Sequence, residues 1–171
     1  MNTEQARFLV QYFAKLMEGE LPATCSVLGA VPDAKRDYKP DEKSRSAWEL
    51  ATHLALADVW FLDSILAGAF AMDPGAEATQ RAKFKNVAEV VDYYKREFPA
   101  RLERLRNMPD ADLTRTVDFF GMFQSPAAWF MGFANNHSTH HRGQLAAYLR
   151  AMGSKVPAIY GASADQAMPS A

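Results

Sequence analysis

Cysteine is nearly absent from this chain of 171 residues, where Cys25 stands alone. A single thiol excludes an intrachain disulfide and a thiolate-rich zinc site, and near Pro22 it reads as a small buried residue rather than a nucleophile. Charge of one sign is not in excess either. Nineteen basic and twenty acidic residues leave a net charge of −1, which removes the electrostatic argument for nucleic acid or an anionic membrane as partner. No segment approaches the ~20 apolar residues a membrane span needs. The opening MNTEQARFLVQYF lacks a basic stretch followed by a continuous apolar one, so no secretory leader is expected and the chain reads as cytoplasmic. A glycine-rich phosphate loop, a Ser/His/Asp arrangement and a convincingly spaced carboxylate pair are all missing.

What is present is helical in period. Hydrophobic residues make up 49% and charged residues 23%, the balance of a globular domain, and the length suits one domain over residues 1–171. Phe8, Leu9, Tyr12, Phe13, Leu16 and Met17 recur at helical spacing and predict a first helix over residues 3–28, broken or kinked by Pro22. Residues 31–43, with two prolines and many charges, read as a loop. Ser46 to Glu49 form a capping box opening a second helix that Gly68 stops. A box-like start at Asn86 opens a third helix to about Asn107, kinked by Pro99. Between Pro109 and Gln124 the period lapses, and Leu113, Thr116, Val117, Phe119 and Phe120 suit a short extended segment. Ser125 as N-cap with Pro126 at the first helical position starts a fourth helix running to Met152, with Gly153 as terminator. Residues 155–171 form an extended or frayed tail. Four long helices without strong strand pairs predict an all-α bundle.

Histidine carries the chemistry. Two imidazoles, His137 and His141, stand four residues apart, about 40° from each other on one helical face. Both rings can reach one cation at roughly 2.0–2.1 Å. A third ligand must come from elsewhere, and His53, beside Leu50 and Leu54, is the only histidine outside the fourth helix. His140 competes with His141, being displaced about 60° from His137 the other way. His141 is preferred because Phe130, Phe133, His137, His141, Gln144, Tyr148 and Met152 step along one face. Taken singly, each ring can equally be a hydrogen-bonded core imidazole. Three neutral imidazoles leave open positions on the ion, the mark of catalytic rather than structural sites. The ion is divalent, zinc or nickel foremost, with iron and manganese as alternatives. Asn136, Arg142 and Gln144 flank the ligands as supporting or substrate-contacting residues, although Arg142 suits a solvated helix position as well. Glu49 can orient His53 or simply cap its helix. The aromatics Trp48, Trp60, Trp129, Phe119, Phe120, Phe123 and Phe130 read as core and rim.

Three segments together carry a family resemblance. Trp48-Glu49-Leu50-Ala51-Thr52-His53-Leu54, Asn136-His137-Ser138-Thr139-His140-His141-Arg142-Gly143-Gln144-Leu145 and Val156-Pro157-Ala158-Ile159-Tyr160-Gly161 resemble the DinB-like (DinB/YfiT-like) proteins of bacteria. Nothing here looks like the unrelated DNA polymerase that shares the name. The resemblance implies an up-down-down-up four-helix bundle holding a divalent metal by three histidines, carried over onto His53, His137 and His141. It also implies a homodimer and, by analogy with some relatives, a metal-dependent S-transferase using a low-molecular-weight thiol such as bacillithiol or mycothiol. A metal-dependent hydrolase is the other enzymatic expectation. The rival from another class is a metal-stabilised helical module for binding or stress response, without chemistry. The small-molecule substrate and the catalytic residues are not legible.

Overall fold

A computed structural model describes residues 1–167, and these are mostly helical. Four long helices, α1 (Thr3–Gly29), α2 (Ala47–Ala67), α4 (Val87–Arg106) and α6 (Phe130–Ala151), are joined by two short ones, α3 (Ala76–Arg81) and α5 (Asp110–Thr114), and by a hairpin of β1 (Thr116–Phe119) and β2 (Phe123–Pro126). Each long helix packs on two others: α1 and α2 both lie against α4 and α6.

Local chemistry sets the boundaries. Asn2 and Ser46 both complete capping boxes, each worth about 1 kcal/mol to its helix. Gly68 ends α2 in the left-handed conformation at φ 70°, where a Cβ would collide with the Arg115 guanidinium. Asn86 caps α4 through the Glu89 amide, while the Glu89 carboxylate reaches one residue further back, to the Lys85 amide. The loop expected over residues 31–43 is present, interrupted by one 3-10 turn, Asp33–Lys35.

Several expectations are corrected. Pro22 does not break α1, and α4 likewise runs on through Pro99, where a kink rather than a break is expected. Each proline forfeits a backbone bond, but Met17, Thr24 and Cys25 are buried around the first and Phe98 and Leu102 beside the second, so tertiary packing offsets the loss. Ser125 does not cap α6. It pairs with Val117 across the hairpin, and Pro126 pairs with Thr116. The helix begins only after a 3-10 turn, Ala127–Trp129. The lapse of period after Pro109 is thus a five-residue helix, which takes Leu113, followed by two strands, and not one extended stretch. The buried face of α6 is centred on Ala134, Ser138, Arg142, Leu145 and Leu149, with His137 and His141 at its edge and Gln144 exposed. By length and composition α2 is apolar enough to cross a membrane, against the reading of the sequence, but 67% of that window is buried inside the protein, as in a core helix.

Of the expected core-and-rim aromatics, Phe130 is buried, Trp48, Trp60, Phe119 and Phe123 pack against the core, and Trp129 and Phe120 are exposed. Cys25 is buried as expected, and desolvation pushes its thiol pKa up, so it is no nucleophile. From residue 152 onward the tail is irregular. It is tied down where the Val156 amide donates to Asp165 and the Ala158 amide to Gln166. The last four residues of the expected tail, 168–171, lie outside the described residues.

Candidate metal centre

Three imidazoles meet between α2 and α6. One ligand atom each of His53, His137 and His141 lies within 4.8 Å of the others. Their ring centroids are 5.3 Å (His53 to His137), 4.7 Å (His53 to His141) and 4.4 Å (His137 to His141) apart. Nitrogens bound tetrahedrally to one ion at ~2.1 Å would be roughly 3.4 Å apart. Small ring rotations close that gap. His140 turns away, exposed, with its ring 4.9 Å from that of His141.

The Nδ1 atom of each ring faces an acceptor. His53 Nδ1 is 2.8 Å from Glu77 Oε2, and His141 Nδ1 is 3.1 Å from Gln144 Oε1. His137 Nδ1 is 3.6 Å from Asp58 Oδ1, and neither of these buried atoms has a hydrogen-bond partner. Asp58 is fully buried, and its other oxygen accepts from Tyr94 at 2.9 Å and Ser138 at 2.7 Å. Burial first, and then the Asp58 charge, raise the Tyr94 phenol far above its usual range, so it remains a donor. A ring whose Nδ1–H points at an acceptor presents a lone pair at Nε2, the arrangement that orients histidine for a metal. His53 and His141 are held that way, while His137 only faces Asp58 at 3.6 Å without a hydrogen bond.

Electrostatics agree. Burial, with the neighbouring rings, depresses the His141 pKa to about 4, so the ring is neutral at pH 7. The hydrogen bond from His53, reinforced by Arg45 and Arg81, holds the Glu77 carboxyl below the usual carboxylate range. A cavity of about 640 Å³ opens beside the cluster, touching His53 and His137 and running between α2, α3 and α4.

Sequence reading found the three rings and Gln144 but missed Glu77 and Asp58. Glu77 lies on α3, too short to show a hydrophobic period. Asp58 did leave a signal: a lone carboxylate inside the apolar run from Leu54 to Leu62 must be buried with partners. Glu49 serves the cap, not His53. Arg142 is no solvated residue. It is 2% exposed and paired with Glu20, Thr24 and the Tyr160 hydroxyl on the far side of α6. Asn136 is exposed.

The DinB family model matches residues 1–169. The uncharacterized protein YrdA of Bacillus subtilis strain 168 is 24% identical over 158 residues, covering 92% of this chain and 91% of that protein. A DinB-like protein of Bacillus subtilis, YjoA, has a crystal structure similar to this one at TM-score 0.65 and 21% identity, over 94% of this chain and 99% of its own. A DinB-like protein of Bacillus cereus is similar at TM-score 0.69 and 25% identity, over 86% of this chain and 95% of its own.

Proposed function

This chain belongs to the DinB family, and on that premise we propose that His53, His137 and His141 bind one divalent metal ion in a metal-dependent enzyme, a thiol-dependent S-transferase or a hydrolase. The observation that carries the reading is the convergence of one ring nitrogen from each of three histidines within 4.8 Å, with Nδ1 of His53 and His141 bonded to Glu77 and Gln144 and that of His137 facing Asp58 at 3.6 Å. Three neutral nitrogen donors suit zinc or nickel best, and iron or manganese after them. When bound, the ion supplies Lewis acidity and keeps a coordinated water or thiol deprotonated near neutral pH.

The residues divide the remaining work. Asp58 and Glu77 fix the tautomer and tilt of their histidines. Glu77, with its lowered pKa, is a poor proton acceptor at neutral pH and so orients rather than acts as base. The cavity beside His53 and His137 admits a small molecule, and this favours an enzyme over a purely metal-stabilised module, which has no need of one. The four long helices are proposed to run up-down-down-up. A stripe of Phe8, Tyr12 and Leu16 exposed on α1 supports a homodimer; light scattering that finds a monomer at high micromolar concentration discards it.

Elemental analysis of tag-free protein tests the metal, followed by conjugation assays with glutathione, bacillithiol and mycothiol. One equivalent of zinc or nickel, lost in His53→Ala together with turnover, is expected. Metal bound without conjugation or hydrolysis returns the protein to the non-catalytic module.

A further inference from the structure

The cavity's walls say more than its size. Leu56, Ala57, Trp60, Phe61, Met72 and Tyr93 give it an apolar stretch of wall with three aromatic rings, His53 and His137 line it too, and Asp63, Asp73, Glu77 and Glu97 put carboxylates on the rest. At another part of the wall Arg101 is, among the described residues, the only lysine or arginine lining it, and that guanidinium is already paired with Asp63 at 3.2 Å and with Glu97. Glu77 is likewise paired, to Arg45 and Arg81. No lining cation is free for a phosphate or other strong anion, and a sugar would leave its hydroxyls facing Trp60 and Phe61. Apolar carbon gains most here, since burial of apolar area is the main favourable contribution on such a surface. A volume near 640 Å³ is several times that of a one-ring fragment, so it takes a body of two fused rings or an equivalent chain.

We infer that the substrate is a molecule without a strong anionic group, with an apolar, aromatic-sized body that lies along Trp60 and Phe61 and presents one metal-ligating or reactive head to the His53–His137 end of the cavity. This rests on the metal reading for its head group, while the body is assigned by the cavity alone.

Hydroxamates separate the two. The chelating head is the same in acetohydroxamate and 2-naphthohydroxamate, so their affinities for zinc-loaded protein differ by what the cavity gives the naphthalene. Titration calorimetry is run first with zinc alone, then with each hydroxamate on the zinc form. The naphthyl compound should bind about a hundredfold more tightly, the factor expected from burying roughly 110 Å² more apolar surface. Ala57→Phe, which fills the cavity floor, should bring that ratio down to about tenfold or less. Trp60→Ala, which removes a wall, should lower it too. Each variant is checked for one equivalent of zinc and a cooperative melt. Zinc binding with equal affinity for both hydroxamates, or a ratio unchanged in both variants, overturns the cavity assignment and leaves the metal site standing. Failure of zinc itself to bind overturns the metal reading and takes the head-group assignment with it.

Discussion

His141 and Arg142 are neighbours on α6, about 100° apart around the helix, and each anchors a polar cluster. The two clusters differ in how completely they are satisfied. On the Arg142 side the guanidinium meets the Glu20 carboxylate, the Thr24 hydroxyl at 3.0 Å and the Tyr160 hydroxyl, and lies over the Tyr160 ring at 5.2 Å. On the His141 side, Asp58 Oδ1 and His137 Nδ1 are buried without a hydrogen-bond partner, and three ring nitrogens face one another. A saturated polar cluster holds a structure together; an unsaturated one is held in readiness for something that is not protein. The comparison assigns opposite consequences to changes at adjacent positions.

The largest effect should come from the saturated side. Arg142→Met leaves Glu20 and Tyr160 without their shared partner and should cost about 3 kcal/mol, the lower end of what breaking a buried pair does because Glu20 is partly exposed. Thermal melts should show a midpoint some 6–12 °C lower. A smaller drop than that of a surface substitution would erase the distinction.

Zinc at a hundred times its dissociation constant should stabilise the wild type by about 2.7 kcal/mol, or roughly 5–10 °C. His53→Ala should abolish most of that increment and barely move the apo midpoint. If the increment survives in His53→Ala, the three-ring site is wrong.

Asp58→Asn tests the orienting carboxylate. It keeps the shape but weakens the acceptor facing His137, so calorimetry should find zinc affinity down about 10–100-fold. An unchanged affinity would leave Asp58 as a partner of Tyr94 and Ser138 alone.

The smallest effect is the pH dependence of the apo protein. The folded state depresses the His141 pKa from 6.5 to about 4, so the unfolded chain takes up a proton first as pH falls. The stability tied to a neutral His141 is complete above about 6.5 and lost progressively down to about 4. Denaturant midpoints measured from pH 7 to pH 4.5 should fall less steeply in His141→Gln than in the wild type.

Much of this was legible in the sequence, for identifiable reasons. Ser46, Glu49 and Gly68 fixed α2 because capping is local chemistry, and the i, i+4 spacing of His137 and His141 is a helical property that needs no tertiary knowledge. Pairing with His53 was legible because only four histidines exist. The polar partners were not. Glu77 reaches His53 across 24 residues and Arg142 reaches Glu20 across 122, and hydrophobic periodicity carries no trace of such pairings. Ser125-Pro126 misled because the same dipeptide can open a helix or close a strand, and Val117 on the partner strand decided between them.

The Glu20–Arg142–Tyr160 contact joins residues 140 positions apart. During synthesis at about 5–20 residues per second, Glu20 is added roughly 7–28 s before Tyr160. Over that interval α4 and then α6 become available to the inner face of α1, while Glu20 still lacks its Tyr160 partner. The polar cluster at Glu20 therefore has its first member made early and its last made late, so it closes only after the helices around it exist.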